Sequence, residues 1–442
     1  MKSAIPNSNN RLQKHTYFQD ISILGLSTFF NSGLAFLISV FLARNIEPES
    51  YGLFLSSIAL ITLFIPFAHL GITQLWLKKV GELGWEAEKI FYPSIKIIGQ
   101  CLIISILTII FWAFIGPHSD TQTYVIGVMS FHLIGFIVLE LVITKYQLEG
   151  KYNQLALAQI FPNLLRIFLI ALTYSVFQNS ISIYLIVNIY FLSSIIILIV
   201  FIKDIIIIAR GKISLAHFKK KNNFNLKFSF WEIINESYPF ALAGFFHFIY
   251  YQSDIVLVKY LASDLDAAYY GVSVLIFSAT MLIPTVMYQK YLMPKIHRWI
   301  NHEKKLFLVF NQKGNLFMAS VGMIFFLLII LNSHNIILTF FGLNYFNSIE
   351  ILEVLSFAIP VVFVSANLGS SLGSRNMIKK KAKIMGFVAI INIFLNISLI
   401  PKLGSIGAAY ATLASNIVLL ALYAFQNYKL VSKIRREISS EK

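Results

Sequence analysis

The chain has 442 residues, of which 57% are hydrophobic and only 13% charged, with a net charge of +16. A soluble domain carries about twice that share of charge, and the longest polar stretch, Arg210 to Phe228, is too short to bury a core of its own. The single cysteine, Cys101, excludes an intramolecular disulfide and a cysteine-based metal cluster.

In chain order, a polar N-terminus through His15 gives way to an apolar run from Phe18 to Leu42. That run is too long for the h-region of a cleaved signal peptide and has no A-x-A-like site after it, so it reads as a retained first helix. Apolar runs of this length recur to the end of the chain. They predict an all-α integral membrane protein of twelve transmembrane helices, at 18–43, 53–77, 93–115, 123–145, 154–177, 183–208, 236–260, 268–293, 314–332, 349–372, 384–400 and 407–429. The connections after even-numbered helices hold nearly all the lysine and arginine, whereas Arg44, Lys259 and Lys402 alone stand on the other side. By the positive-inside rule both termini are cytoplasmic. The positive charge is therefore a topology signal, with anionic head groups as its secondary partner and nucleic acid excluded. The basic segment 210–231 divides the chain into six-helix lobes at 1–209 and 232–442.

Polar residues inside the runs are the functional candidates. Asn31 lies mid-way along helix 1. Helix 5 carries Gln159, Asn163 and Arg166 on one face, a polar stripe that suits a wet lumen better than lipid. A charge at the depth of Arg166 costs about 2.5–3.5 kcal/mol, so it faces a cavity or a partner. A guanidinium fork matches phosphate oxygens; the alternative is an ion pair with Glu140 of helix 4, and a substrate could displace that carboxylate. Asp254, in the outer half of helix 7, is suited to a coupling proton or cation; the structural alternatives are snorkelling to the interface or a pair with Lys259. Glu140 is the second ion-coupling candidate. His69, His132 and His247 read mainly as packing residues that hydrogen-bond a neighbouring helix. Pro162, Pro239, Pro284 and Pro360 fall within helices, and Gly369-x-x-x-Gly373 reads as close helix packing. No motif calls for a metal or other cofactor.

An internal echo spans the divide. Arg44-Asn45-Ile46-Glu47-Pro48-Glu49-Ser50-Tyr51-Gly52 after helix 1 has a counterpart in Ser263-Asp264-Leu265-Asp266-Ala267-Ala268-Tyr269-Tyr270-Gly271 after helix 7, an acidic connection closed by Tyr-Gly. With six helices per half the repeat is parallel, about an axis along the membrane normal.

The first of these segments resembles the same connection in Wzx-type polysaccharide repeat-unit flippases of the multidrug/oligosaccharidyl-lipid/polysaccharide exporter superfamily. Gln147-Leu148-Glu149-Gly150-Lys151-Tyr152, Tyr251-Gln252-Ser253-Asp254 and Ile400-Pro401-Lys402-Leu403-Gly404-Ser405-Ile406-Gly407-Ala408-Ala409-Tyr410 resemble that family in the same order. The resemblance implies two six-helix lobes around a central cavity that opens alternately to either side of the cell inner membrane. It implies as substrate an undecaprenyl-pyrophosphate-linked oligosaccharide destined for O antigen, capsule or another polymer, and polysaccharide polymerase machinery as a partner. Two other functions compete. A drug/cation antiporter of the same superfamily would have a lumen dominated by acids, against the central Arg166. A membrane glycan polymerase or glycosyltransferase would need a large external loop for its acid and base; the longest external connection here, Ser333 to Ser348, is short and uncharged. The chain is therefore expected not to be an enzyme.

Overall fold

A computed structural model describes residues 9–177, 181–215, 228–372 and 377–440. The centre of the expected linker, 216–227, and Gly373 of the expected packing motif lie outside the described residues. Within the described residues there is helix and no strand, the form in which a chain this apolar satisfies its backbone without water.

Helix α1 (Asn9–Asn45) is followed by α2 (Pro48–His69), with Pro48 in the first turn where no N–H is needed. The second expected helix, 53–77, is not continuous. It stops at Leu70 and Gly71, both left-handed at φ 49° and 66°, and resumes as the short α3 (Ile72–Leu83). Two contacts fix the break: the Gly71 N–H donates to His69 Nδ1 at 2.9 Å, and a side chain at Gly71 would meet the Ala241 backbone nitrogen at 2.6 Å. A 3-10 turn (Gly84–Ile90) leads into α4 (Phe91–Ile115). The next expected helix is two segments, α5 (Asp120–Ser130) and α6 (His132–Leu148), with a Ser119/Gln122 capping box at its start. The family-like Gly150 is its left-handed cap, where Lys151 N–H reaches back to Tyr146 O at 2.9 Å. Then come α7 (Tyr152–Val176) and α8 (Ile183–Ala209).

The second half opens with α9 (Phe230–Leu261), capped by Ser229 and Glu232. Helix α10 (Asp264–Thr280) bends by 43° into α11 (Leu282–Thr285) and a π-helical turn, Val286–Leu292, followed by α12 (Met293–His302). Helix α13 (Lys304–Phe340) is longer than the expected 314–332, so much of the expected external connection Ser333–Ser348 is helical. A 42° bend separates α14 (Ser348–Ser356) from α15 (Ala358–Ser371). Helix α16 (Ile378–Ser440) is two arms meeting at Gly404, φ 61°. That bend explains the strongest family-like segment: the Gly404 conformation favours glycine, Ser405 donates to Asp266 Oδ1 at 2.8 Å, and a side chain at Gly407 would meet Leu399 O at 2.6 Å.

Among the described residues, eight helical stretches are long and apolar enough to cross a membrane, or ten when each bent pair is one span. Two of the eight, Pro48–Ile115 and Lys379–Ser440, each hold two arms. Exposed Leu26, Phe111, Phe114, Leu157, Leu316 and Leu331 give the bundle an apolar outer surface, as lipid solvation requires.

The halves meet closely where α2 crosses α10. A side chain at Gly52 would sit 1.7 Å from Asp264 O, and one at Gly271 would sit 2.4 Å from Leu55 Cδ1. The Tyr-Gly echo thus has a physical basis: each glycine lets the other half's helix approach. Tyr51 and Tyr270 are both buried at that crossing.

Candidate functional site

Among the buried polar clusters of the described residues, two hold the sequence candidates Arg166 and Asp254, one in each half. In the first, Asn31 of α1 meets the α7 stripe: Asn163 Nδ2 donates to Asn31 Oδ1 at 2.9 Å. Gln159 Oε1 accepts from Ser27 at 3.2 Å, and its Nε2 donates to Thr28 at 3.3 Å. Arg166 continues the line. Its Nη1 donates to Asn163 Oδ1 at 3.0 Å and its Nη2 to His132 Nε2 at 3.1 Å, while the guanidinium lies 4.6 Å from the Tyr190 ring centroid. Arg166 cannot accept a hydrogen bond, so His132 Nε2 must be unprotonated and its Nδ1 must carry the hydrogen. That hydrogen goes to Ser194 Oγ at 2.8 Å, and Ser194 passes its own to Tyr190 O at 2.9 Å. The result is a permanent cation held by neutral groups from α6, α7 and α8, with the buried Nε left without an acceptor.

Arg166 is not paired with Glu140, the partner that charge alone suggested. Glu140 accepts from Thr73 Oγ1 at 3.2 Å, on the His69 side of the first half. His132, read from sequence as a packing residue that hydrogen-bonds a neighbouring helix, does so twice, and links Arg166 of α7 to Ser194 of α8.

The second cluster surrounds Asp254. Asn396 Nδ2 donates to its Oδ1 at 2.7 Å; Tyr270 OH and Thr412 Oγ1 donate to its Oδ2 at 2.9 and 2.5 Å. Asn392 supports Asn396 through its carbonyl at 2.9 Å, and Asn416 donates to Thr412 O at 2.8 Å. The carboxylate is 5% exposed, which rules out snorkelling. Lys259 is not its partner but lies 3.8 Å from Asp264. The register that aligns Tyr51 with Tyr270 places Ala35 opposite Asp254, so the anionic cluster belongs to the second half alone.

Contacts also join the halves at the end where α1 finishes and α2 begins. Arg44 donates to the last carbonyls of α13, Phe340 O at 2.8 Å and Thr339 O. Tyr51 packs edge-on against Tyr345. Gln122 donates to Asp264 Oδ2 at 2.6 Å, and Trp112 and His118 both hydrogen-bond Tyr260. Nearer the α3 end of the first half, Lys79 pairs with Glu236 of α9 at 2.7 Å.

The family described as "Polysaccharide biosynthesis protein" matches residues 17–299. The chain belongs to that polysaccharide biosynthesis protein family. No curated protein matches it closely enough to count. Among solved structures, this family member is similar to the lipid II flippase MurJ in an inward closed conformation, at 17% identity over 92% of this chain and 89% of that one, with a TM-score of 0.68. It is also similar to an inward-facing multidrug resistance MATE family transporter of the MOP superfamily, at 12% identity over 95% of this chain and 98% of that one, with a TM-score of 0.71. Against an outward-facing transporter of that description the TM-score is 0.59, at 12% identity over 94% of this chain and 96% of that one. These likenesses establish the fold: a multi-pass, two-lobe helical membrane protein.

Proposed function

We propose that this polysaccharide biosynthesis family member is a flippase that carries undecaprenyl-pyrophosphate-linked oligosaccharide from the cytoplasmic to the periplasmic leaflet by alternating access. Its lobes are 1–209 and 232–442, joined by 210–231, with twelve crossings and both termini in the cytoplasm of a cell whose inner membrane it occupies. The observation that carries the reading is Arg166, a guanidinium deep in the first lobe whose hydrogen-bond partners, Asn163 and His132, are neutral. A cation held this way retains its attraction for an anion, and its fork matches two phosphate oxygens. Asn31, Gln159 and Asn163 supply amides for the head group beside it. The lipid-linked sugar is supported by the family description and by the flippase among the similar folds. Whether the polymer is O antigen or capsule, and whether polymerase machinery docks here, follow from the substrate.

Asp254 is the coupling site in this scheme. Three donors already fix its carboxylate, and the oxygens of Thr412, Asn392 and Asn396 stand around it. A proton or a small cation held there biases the lobes only by its differential affinity for the two states. Glu140, hydrogen-bonded to Thr73, is the first lobe's candidate for the same role.

The test is translocation of a lipid-linked oligosaccharide in proteoliposomes under an imposed pH or sodium gradient, with native protein and Asp254→Asn. The substitution preserves shape and loses about one hydrogen bond, a cost of roughly 1–3 kcal/mol, so the fold survives. Native transport is expected to follow one gradient, and Asp254→Asn to lose that dependence. Equal gradient dependence in both removes Asp254 from coupling, and no native translocation removes the flippase reading.

A further inference from the structure

The connection between α4 and α5 reaches across to the end of α9. His118 Nδ1 lies 3.1 Å from Ala113 O and its Nε2 lies 2.8 Å from Tyr260 OH, while Trp112 Nε1 donates to the same hydroxyl at 3.0 Å. The three rings also pack edge to face, with centroids 5.7–6.1 Å apart.

Donor and acceptor roles follow from chemistry. Ala113 O only accepts, so His118 Nδ1 carries a hydrogen and a neutral ring leaves Nε2 as an acceptor. Trp112 N–H then donates to the Tyr260 oxygen and Tyr260 O–H donates to His118 Nε2. Tyr260 and His118 each take one hydrogen bond and give one, and this arrangement needs the imidazole neutral. A proton on Nε2 turns the last acceptor into a donor aimed at an oxygen that already accepts from Trp112, and strands the Tyr260 hydrogen.

We propose that Trp112, His118 and Tyr260 form a proton-sensitive latch between the lobes, closed when His118 is neutral and released when it is protonated. The proposal rests on the reading that the lobes part at this end during transport. The charged neighbours are Lys259 beside Tyr260 on α9, Asp264 at the start of α10, and Asp120 on α5; Lys259 lies 3.8 Å from Asp264. Burial pushes the His118 imidazole down from its ordinary value, the Ala113 carbonyl opposes that, Lys259 adds to it and Asp264 opposes it. The sign follows. With the closed-state value below the open-state value of about 6.5, closure is strongest above about pH 6.5 and weakens as pH falls through that value toward the lower closed-state one. Acidification on the outer face therefore favours release.

The test uses the full chain with Cys101→Ser, spin labels at Val176→Cys and Lys402→Cys on opposite lobes, and distances read without substrate at pH 8 and pH 5. The native latch is expected to give a short distance at pH 8 and a longer population at pH 5. His118→Gln, whose amide can accept from Tyr260 without titrating, should keep the short distance at both; His118→Ala should show the longer population at both. A native distance that ignores pH, a pH shift that survives in His118→Gln, or a short distance in His118→Ala at both pH values overturns the latch. Because no substrate is present, these results stand apart from whether the flippase reading holds.

Discussion

Arg166→Ala is expected to weaken binding of undecaprenyl diphosphate by about 10- to 100-fold, while undecaprenol, which lacks the phosphates, binds native and variant protein alike. The size comes from a charge-assisted hydrogen bond, about 1.5–3 kcal/mol, with about 1.4 kcal/mol per tenfold in affinity. Arg166→Lys keeps the charge and loses the fork, so its affinity should fall between the two. Truncation also strips His132 Nε2 and Asn163 Oδ1 of their donor. Some loss of thermal stability is therefore expected, and the lysine variant separates that from recognition. The measurement is ligand-induced stabilisation of the purified protein across a lipid titration. Native affinity in the alanine variant would make Arg166 a structural brace between α6 and α7.

Gly52→Val should be the most disruptive single substitution at the lobe interface. A branched side chain there meets the Asp264 carbonyl, already 1.7 Å from the first added carbon. Backbone on both sides leaves nothing to rotate away, so α2 and α10 must separate. Overpacking of this kind costs about 1–3 kcal/mol or more, enough to shift a two-state balance by about 5- to 150-fold toward lobes parted at that end. Gly271→Ala should be milder, because it meets only the tip of Leu55; Gly99→Ala, with open space around it, serves as the control. Distances between labels at Val176→Cys and Lys402→Cys should lengthen in Gly52→Val alone, with transport lost. A Gly52→Val protein with native distances and transport would show that the crossing is not a closure point.

Much of the helical architecture was legible because each apolar run is long enough to span a membrane. The breaks were not. Leu70–Gly71, Phe131, Met281 and Phe357 interrupt runs whose composition does not change, and the cause at Gly71 is the approach of α9, a tertiary contact no local pattern carries. Arg166 stood out as a charge in an apolar run, and the spacing of Gln159 and Asn163 placed them on its face. His132 was visible as a polar residue, but its link to Arg166 was not, nor were Tyr190 and Ser194, because a helix apolar on every side gives no periodicity to fix its rotation. Asp254 was visible as an acid, and the pair with Lys259 offered as its structural alternative does not form. Lys259 is five residues on, which at 3.6 residues per turn is about 140° around the helix, whereas Asp264 sits across the α9–α10 turn within 3.8 Å. Tyr270, Asn396 and Thr412 come from distant segments; the Tyr-Gly echo and the i,i+4 spacing of Asn392 and Asn396 were the available signals.

The direct test of the central claim sets two cargoes against each other in the same proteoliposomes. One is a fluorescent undecaprenyl-pyrophosphate-linked oligosaccharide, scored by its exposure to an added quencher or glycosidase; the other is a fluorescent organic cation of the kind a drug antiporter would carry. The account predicts protein-dependent movement of the lipid-linked sugar, reduced in Arg166→Ala, and no protein-dependent uptake of the cation. Cation uptake that exceeds empty vesicles, with the lipid-linked sugar unmoved, would contradict it and assign the chain to cation transport.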